Sequence, residues 1–227
     1  MIKTDKQVTG LTLIPHSIPH IQQRYKWDCG VTCVLMVLSE GDRNDFITNF
    51  FKICEEEGFG QTTCTIDLCY LLKRYNIKHC MFTTSHLPNK RILRTFSGTV
   101  NKAALRIRKR FENASIDGIK IVDSVLSTRD ILHHVTSKGP AIVLVDAALL
   151  SCDLCKHNKL TSEFRRILGG MYRGHYIVVV GWSSGKLLYL DPARSSPLCA
   201  TVPARLQNSR LAPGTDRDII LIYCDYR

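Results

Sequence analysis

Hydrophobic residues change rhythm along this chain. In the first part they recur at helical spacing. Val31, Val34, Leu35 and Leu38 fall at i, i+3, i+4 and i+7 and predict a helix over 29–39, closed by Gly41. Further helices are expected over 45–57, over 66–75 with Thr65 as cap, over a basic stretch at 90–113, and over 128–137 capped by Ser127. Later the apolar positions close up into short β-branched runs, 141–146, 176–182, 186–190 and 219–223, which predict strands; an earlier one is expected over 78–84. Helices first and an antiparallel sheet towards the C-terminus make an α+β fold. Residues 1–19, with Pro15 and Pro19, read as an extended lead-in and 20–227 as a single domain. Residues 147–173, between two strands, read as a loop insertion or lid.

The helix over 29–39 opens on Cys29, and that position changes the reading. The first turn of a helix carries unpaired N–H groups and the positive end of the dipole, both of which favour a thiolate over a thiol. A nucleophilic sulfur needs a base, and the second half of the chain offers one. His175 begins the run Tyr176–Val180, and a tight turn at Ser183-Ser184-Gly185 leads to a strand that ends at Asp191. Folded as a hairpin, the start of the first strand lies beside the end of the second, so His175 and Asp191 become neighbours. Cys29 then attacks, His175 moves the proton and Asp191 orients the imidazole. Gln23, six positions before the cysteine, is placed to donate to an oxyanion together with the Cys29 N–H. Trp27, Asp28 and Gly174 are expected to shape the substrate cleft, with Asp28 also a candidate helix cap. Cys33, one turn on, is expected to pack.

The order Gln…Cys…His…Asp resembles the papain-like thiol hydrolases. The wording Trp27-Asp28-Cys29-Gly30-x-x-Cys33, with Gly174-His175-Tyr176 and Asp191-Pro192-Ala193, is similar to the bacteriocin-leader peptidases, which use aspartate as third member. From about His20 onward the chain resembles a eukaryotic family named guanylyl cyclase domain-containing protein 1, through Thr65–Leu71, Ala141–Val145, Cys152-Asp153-Leu154-Cys155 and Gly214-Thr215-Asp216-x-Asp218-Ile219. These resemblances imply a papain-like fold and a thiol hydrolase acting on an amide, peptide or isopeptide bond, with a peptide or protein substrate. The family's name implies something else, conversion of GTP to cyclic GMP.

The residues do not spell a cyclase. That reaction needs a clamp for the triphosphate and carboxylates for Mg²⁺ or Mn²⁺, but the chain has no G-x-x-x-x-G-K-[ST] loop, and Asp67, Asp123, Asp146 and Asp191 are scattered. The cyclase stays as the alternative. A non-catalytic module holding a peptide in the same cleft is a second one, with 147–173 as the segment that could plug it. The triad itself requires no cofactor.

Composition adds four points. At 227 residues with 44% hydrophobic and 22% charged content, the chain can bury a full core. The longest apolar runs are strand-length, so no membrane span is expected. No secretory h-region opens the sequence, and the ten cysteines then read as reduced thiols of a cytoplasmic or nuclear protein. The net charge of +11 owes much to Lys90–Arg110, which holds eight Lys or Arg and no acid. That stretch reads as a solvated helix face or as a contact for an acidic partner; with poor aromatic interleaving, nucleic acid is disfavoured. Finally, Cys152-x-x-Cys155 with His157 is a candidate zinc set, although Cys199 and Cys224 stand alone in sequence and supply no second pair.

Overall fold

The computed structural model describes residues 18–60, 63–86, 99–155 and 172–224. The first half supplies helices α1 (Cys29–Val37), α2 (Glu40–Thr48), α3 (Phe50–Glu57), α4 (Thr65–Arg74) and α5 (Thr99–Asn113), with strands β1 (His79–Thr83) and β2 (Lys120–Asp123). The second half supplies α6 (Thr128–Ser137), β3 (Ala141–Asp146), β4 (Gly174–Ser183), β5 (Lys186–Leu190), β6 (Cys199–Thr201), α7 (Pro203–Arg210) and β7 (Ile219–Ile222). The seven strands form one sheet in the order β2-β1-β7-β3-β4-β5-β6. All neighbouring pairs run antiparallel except β1 and β2, which are parallel. The α+β class holds, and the sheet is mixed because its far edge is built from the first half of the chain.

Strand alternation divides the core. Tyr176, Val178 and Val180 of β4 face a cluster with Val31, Val34 and Leu35 of α1 and Ile66, Leu68 and Leu72 of α4. Ile177 and Val179 face the opposite cluster, with Ile131 and Val135 of α6 and Leu206 of α7. Both faces of β4 are therefore covered, as its unbroken apolar run requires. Cys33 packs in the first cluster with no exposed surface.

The single helix expected over 45–57 is two. Ser39 accepts a hydrogen bond from the Asp42 N–H and starts α2 early, and Asn49 leaves helical geometry at φ −101°, ψ 19°, ending α2 and preceding α3. Three elements had no sequence forecast, namely β2, β6 and α7. The strands are only four and three residues long, too short for a periodic signal, and the Pro203 that opens α7 reads as a breaker although it suits a first helical turn.

Two features position the site. Gly30 lets the first turn of α1 lie against β4, since a Cβ there would come within 2.9 Å of Leu68 and 3.0 Å of Tyr176. The segment that precedes α1 straps across the end of β5, where the His20 ring bonds the Asp191 carbonyl at 2.9 Å and the Gln23 N–H donates to Pro192 O at 2.8 Å.

Candidate active site

Cys29, the first residue of α1, meets His175 at the start of β4. Nε2 of His175 lies 2.7 Å from Asp191 Oδ1, just past the end of β5, and the same imidazole hydrogen-bonds Cys29. With Nε2 committed to the carboxylate, Nδ1 is the ring nitrogen left for the sulfur. Strand parity explains the pairing: His175 shares its face with Ile177 and Val179, and Asp191 shares its face with Leu187 and Tyr189, all on the second cluster's side of the sheet. Asp191 Oδ1 also accepts from the Ala193 N–H at 2.9 Å, and Arg194 Nε stands 3.6 Å from Oδ2.

Burial opposes a charge on His175, but the bond and charge of Asp191 and the contact with Cys29 outweigh it, pushing the imidazolium up to about 9. Burial likewise pushes the Asp191 carboxyl up, yet its bond to His175, the Ala193 N–H and Arg194 hold it below the ordinary range. At neutral pH the pair is ionic.

The other expected residues are placed differently from one another. Gly174 lines the cleft beside His175, and a side chain there would meet the Tyr172 hydroxyl at 2.7 Å. Gln23 also lines it. Its Nε2 donates to Tyr25 O at 2.6 Å, while Oε1 is buried without a hydrogen-bond partner among the described residues. Trp27 and Asp28 do not line this cleft. Trp27 stacks on Tyr25 at 5.9 Å and lies 6.5 Å from Phe50. Asp28 occupies the position before α1 but makes no side-chain cap; its carboxylate turns back to accept from the N–H groups of Arg24 and Tyr25, each at 3.1 Å. It thereby fixes the loop that carries Gln23. The alternating pattern gave no hint of this, because a carboxylate bonding backwards looks in sequence like a cap.

The cleft encloses about 460 Å³. Lys26, Arg173 and Arg194 line it, and Asp191 is the acid among its lining residues. None of the three cations was singled out in sequence, since each is an isolated basic residue in a loop. Ala147, Leu150, Cys152, Cys155 and Arg173, from the two ends of the 147–173 segment, also line it. The stem of that segment is closed by Asp146, whose Oδ1 accepts from the Ala148 and Arg173 N–H groups at 3.0 and 3.2 Å. Residues 156–171 lie outside the described part of the chain.

The same cleft holds a group of thiols. The sulfurs of Cys152, Cys155 and Cys199 all lie within 4.8 Å of one another. Cys152 belongs to the expected pair with Cys155, whereas His157 is outside the described residues. Cys199 is brought in by pairing of β5 with β6, opposite Tyr189. The basic stretch, in its described part, is not all solvated. Arg106 and Arg110 of α5 turn inward to Asp67, and Arg110 also pairs with Glu57 at 2.6 Å; residues 90–98 lie outside the described residues.

Comparison with known proteins adds family and fold. The family described as guanylylate cyclase matches residues 18–222. A protein of Arabidopsis thaliana named "Guanylyl cyclase 1" is 27% identical over 228 residues, covering 94% of this chain and 78% of that protein. Among solved structures, a Bacillus anthracis chain described as a C39-like peptidase superposes with a TM-score of 0.52 at 14% identity, covering 96% of this chain and 98% of that one. That likeness establishes the papain-like fold. No helix among the described residues is long and apolar enough to cross a membrane.

Proposed function

We propose that this chain, which belongs to the guanylylate cyclase family, acts as a thiol hydrolase on an amide, peptide or isopeptide bond. The observation that carries the reading is one imidazole held at 2.7 Å by Asp191 and hydrogen-bonded to Cys29. In this mechanism the Cys29 thiolate adds to the substrate carbonyl, whose oxygen becomes an oxyanion next to the Cys29 N–H. The C–N bond breaks as His175 gives its proton to the departing amine, leaving a thioester on Cys29. Water then attacks the thioester while His175 takes its proton. The C–S bond breaks, the acid leaves, and sulfur and imidazole return as a pair. Asp191 holds the ring orientation and the imidazolium charge throughout. Gln23 joins the oxyanion site by turning its amide away from Tyr25 O.

Lys26, Arg173 and Arg194 line the cleft beside His175 and favour a substrate that carries negative charge there. The same cationic lining also fits a triphosphate, which together with the family's description keeps the cyclase as a second reading. Against it, most of the buried carboxylates are engaged elsewhere: Asp67 by two arginines, Asp191 by His175, Asp28 by the Arg24 and Tyr25 N–H groups, and Asp146 by the Ala148 and Arg173 N–H groups. Acyl probes with ester and anilide leaving groups, read by intact mass, test the hydrolase. The expected result is an adduct on Cys29 that forms and turns over, and that His175→Ala prevents. Cyclic GMP made from GTP with Mg²⁺ or Mn²⁺, undiminished in Cys29→Ala, would instead establish the cyclase.

A further inference from the structure

The three sulfurs in the wall of the cleft are built as a ligand set. Cys152 and Cys199 are 2% and 1% exposed, while Cys155 is exposed at the rim. Cys152 Sγ accepts hydrogen bonds from the Cys155 and Ala200 N–H groups, both at 3.4 Å. It also receives hydrogen bonds from the side chains of its two partners. A buried sulfur surrounded by donors is in surroundings that suit a thiolate. The sequence folds this way because Cys152-x-x-Cys155 makes a tight knuckle whose third N–H reaches back to the first sulfur, while the β6 strand delivers Cys199 and Ala200 from the other side. A further backbone bond, Asp153 N–H to Ala200 O at 2.8 Å, locks knuckle and strand together.

We infer that Cys152, Cys155 and Cys199 bind a thiophilic divalent cation, zinc by preference, at the wall of the cleft. Zinc–sulfur bonds of about 2.3 Å at tetrahedral angles bring sulfurs to about 3.8 Å apart, so sulfurs already within 4.8 Å close on the metal by a small movement, available to the exposed Cys155. Each thiol releases its proton on binding. Three thiolates and one Zn²⁺ leave a net single negative charge, which Lys26, Arg173 and Arg194 in the same cleft offset. All three cysteines line the cleft that His175 and Asp191 also line. The competing fate is a disulfide. It uses two of the three sulfurs and gives no role to the third, whereas soft metal coordination uses all three. The metal pins the knuckle to β6 and fixes the cleft wall facing the His175–Asp191 pair.

The test is metal analysis of the full chain purified anaerobically without chelator. About one zinc per chain is expected, and the wild-type protein titrated with Co²⁺ should show intense thiolate-to-cobalt charge-transfer absorption. Cys152→Ser and Cys199→Ser should each weaken retention against a chromophoric chelator by more than about tenfold, the scale on which even outer-sphere changes act. Cys29→Ala should retain the metal fully. Zinc held equally well by Cys199→Ser would overturn the inference. So would a wild-type protein that gives no cobalt charge-transfer band and whose peptides contain Cys152 in a disulfide. The cobalt titration needs only the wild-type chain, so a variant that fails to fold does not blunt the test.

Discussion

Asp67 and Asp191 are both buried carboxylates facing cations, yet their partners differ in kind. Asp67 lies between α4 and α5 with no exposed surface. Its Oδ1 accepts from Arg106 at 3.1 Å and Arg110 at 2.6 Å, and its Oδ2 from Arg106 at 2.9 Å and the Cys64 N–H at 3.0 Å. Every lone pair points at a donor that does not titrate in the working range. Asp191 has one strong partner, His175, whose second ring nitrogen remains for Cys29. Burial and charge pairing do not distinguish a carboxylate that could support an imidazole from a structural one. The distinction lies in whether the partner can give up a proton and still has a free face.

The sharpest way to break this comparison is to remove each acid in turn. Asp191→Ala should slow acylation of Cys29 by a carbonyl probe by about 10²–10⁴-fold, since the imidazole loses both orientation and charge support. Its effect on the denaturation midpoint should be small by comparison. An acylation rate within a few-fold of wild type would remove Asp191 from the mechanism. Asp67→Asn should do the reverse. It strands Arg106 and Arg110, whose side chains are only 19% and 12% exposed, and should cost about 3 kcal/mol of stability. Acylation per folded molecule should stay unchanged. Urea unfolding read beside probe labelling separates the two outcomes, and a variant that lost both together would erase the contrast.

Asp218 provides a third case, a buried carboxyl with no cation. It is bonded to Thr65 and Thr83, but burial dominates and pushes it up to about 7 against an ordinary value of 3.8. The folded protein therefore keeps this proton over a range in which the unfolded chain has lost it. The group's contribution is fully present below about 3.8 and is lost as pH rises through about 7. Asp218→Asn keeps the shape and removes the titration. Wild type should lose stability relative to this variant across that window, by on the order of a few kcal/mol. Denaturation midpoints that differ by a constant amount at every pH would show that Asp218 ionises normally in the fold.

How much of this was legible in the sequence follows from the range of each signal. Cys29, His175 and Asp191 were readable because a helix start, a strand start and a strand end are local features, and a short turn fixes which ends meet. The core face of α1 and the alternation along β4 were readable for the same reason. Cys199 was not, because its partners lie 44 and 47 positions away and only the register of β5 with β6 brings it to them. The inward turn of Arg106 and Arg110 was equally hidden: a basic helix reads as solvated until the acid between α4 and α5 is located. Asp28 was misread in direction, since the same residue at the same position can cap forwards or bond backwards.

The comparison of Asp67 with Asp191 can finally be sharpened on the cations themselves. The guanidinium partners of Asp67 have no proton to give to a leaving group. His175 has one. Burial opposes its charge and Asp191 more than restores it, giving a midpoint of about 9. Because the folded value lies above the ordinary 6.5, the pair's contribution to stability is fully present below that value and disappears as pH rises through about 9. Transfer of a proton to the leaving amine should fail over the same interval, falling by about tenfold per pH unit beyond it. The ring resonances of His175, assigned by their loss in His175→Gln, measure the midpoint without any substrate. In Asp191→Asn, with burial retained and the compensating charge gone, the midpoint should drop below that of wild type. A wild-type midpoint at or under 6.5 would mean that the carboxylate does not hold the imidazolium, and Asp191 would then be no different in kind from Asp67.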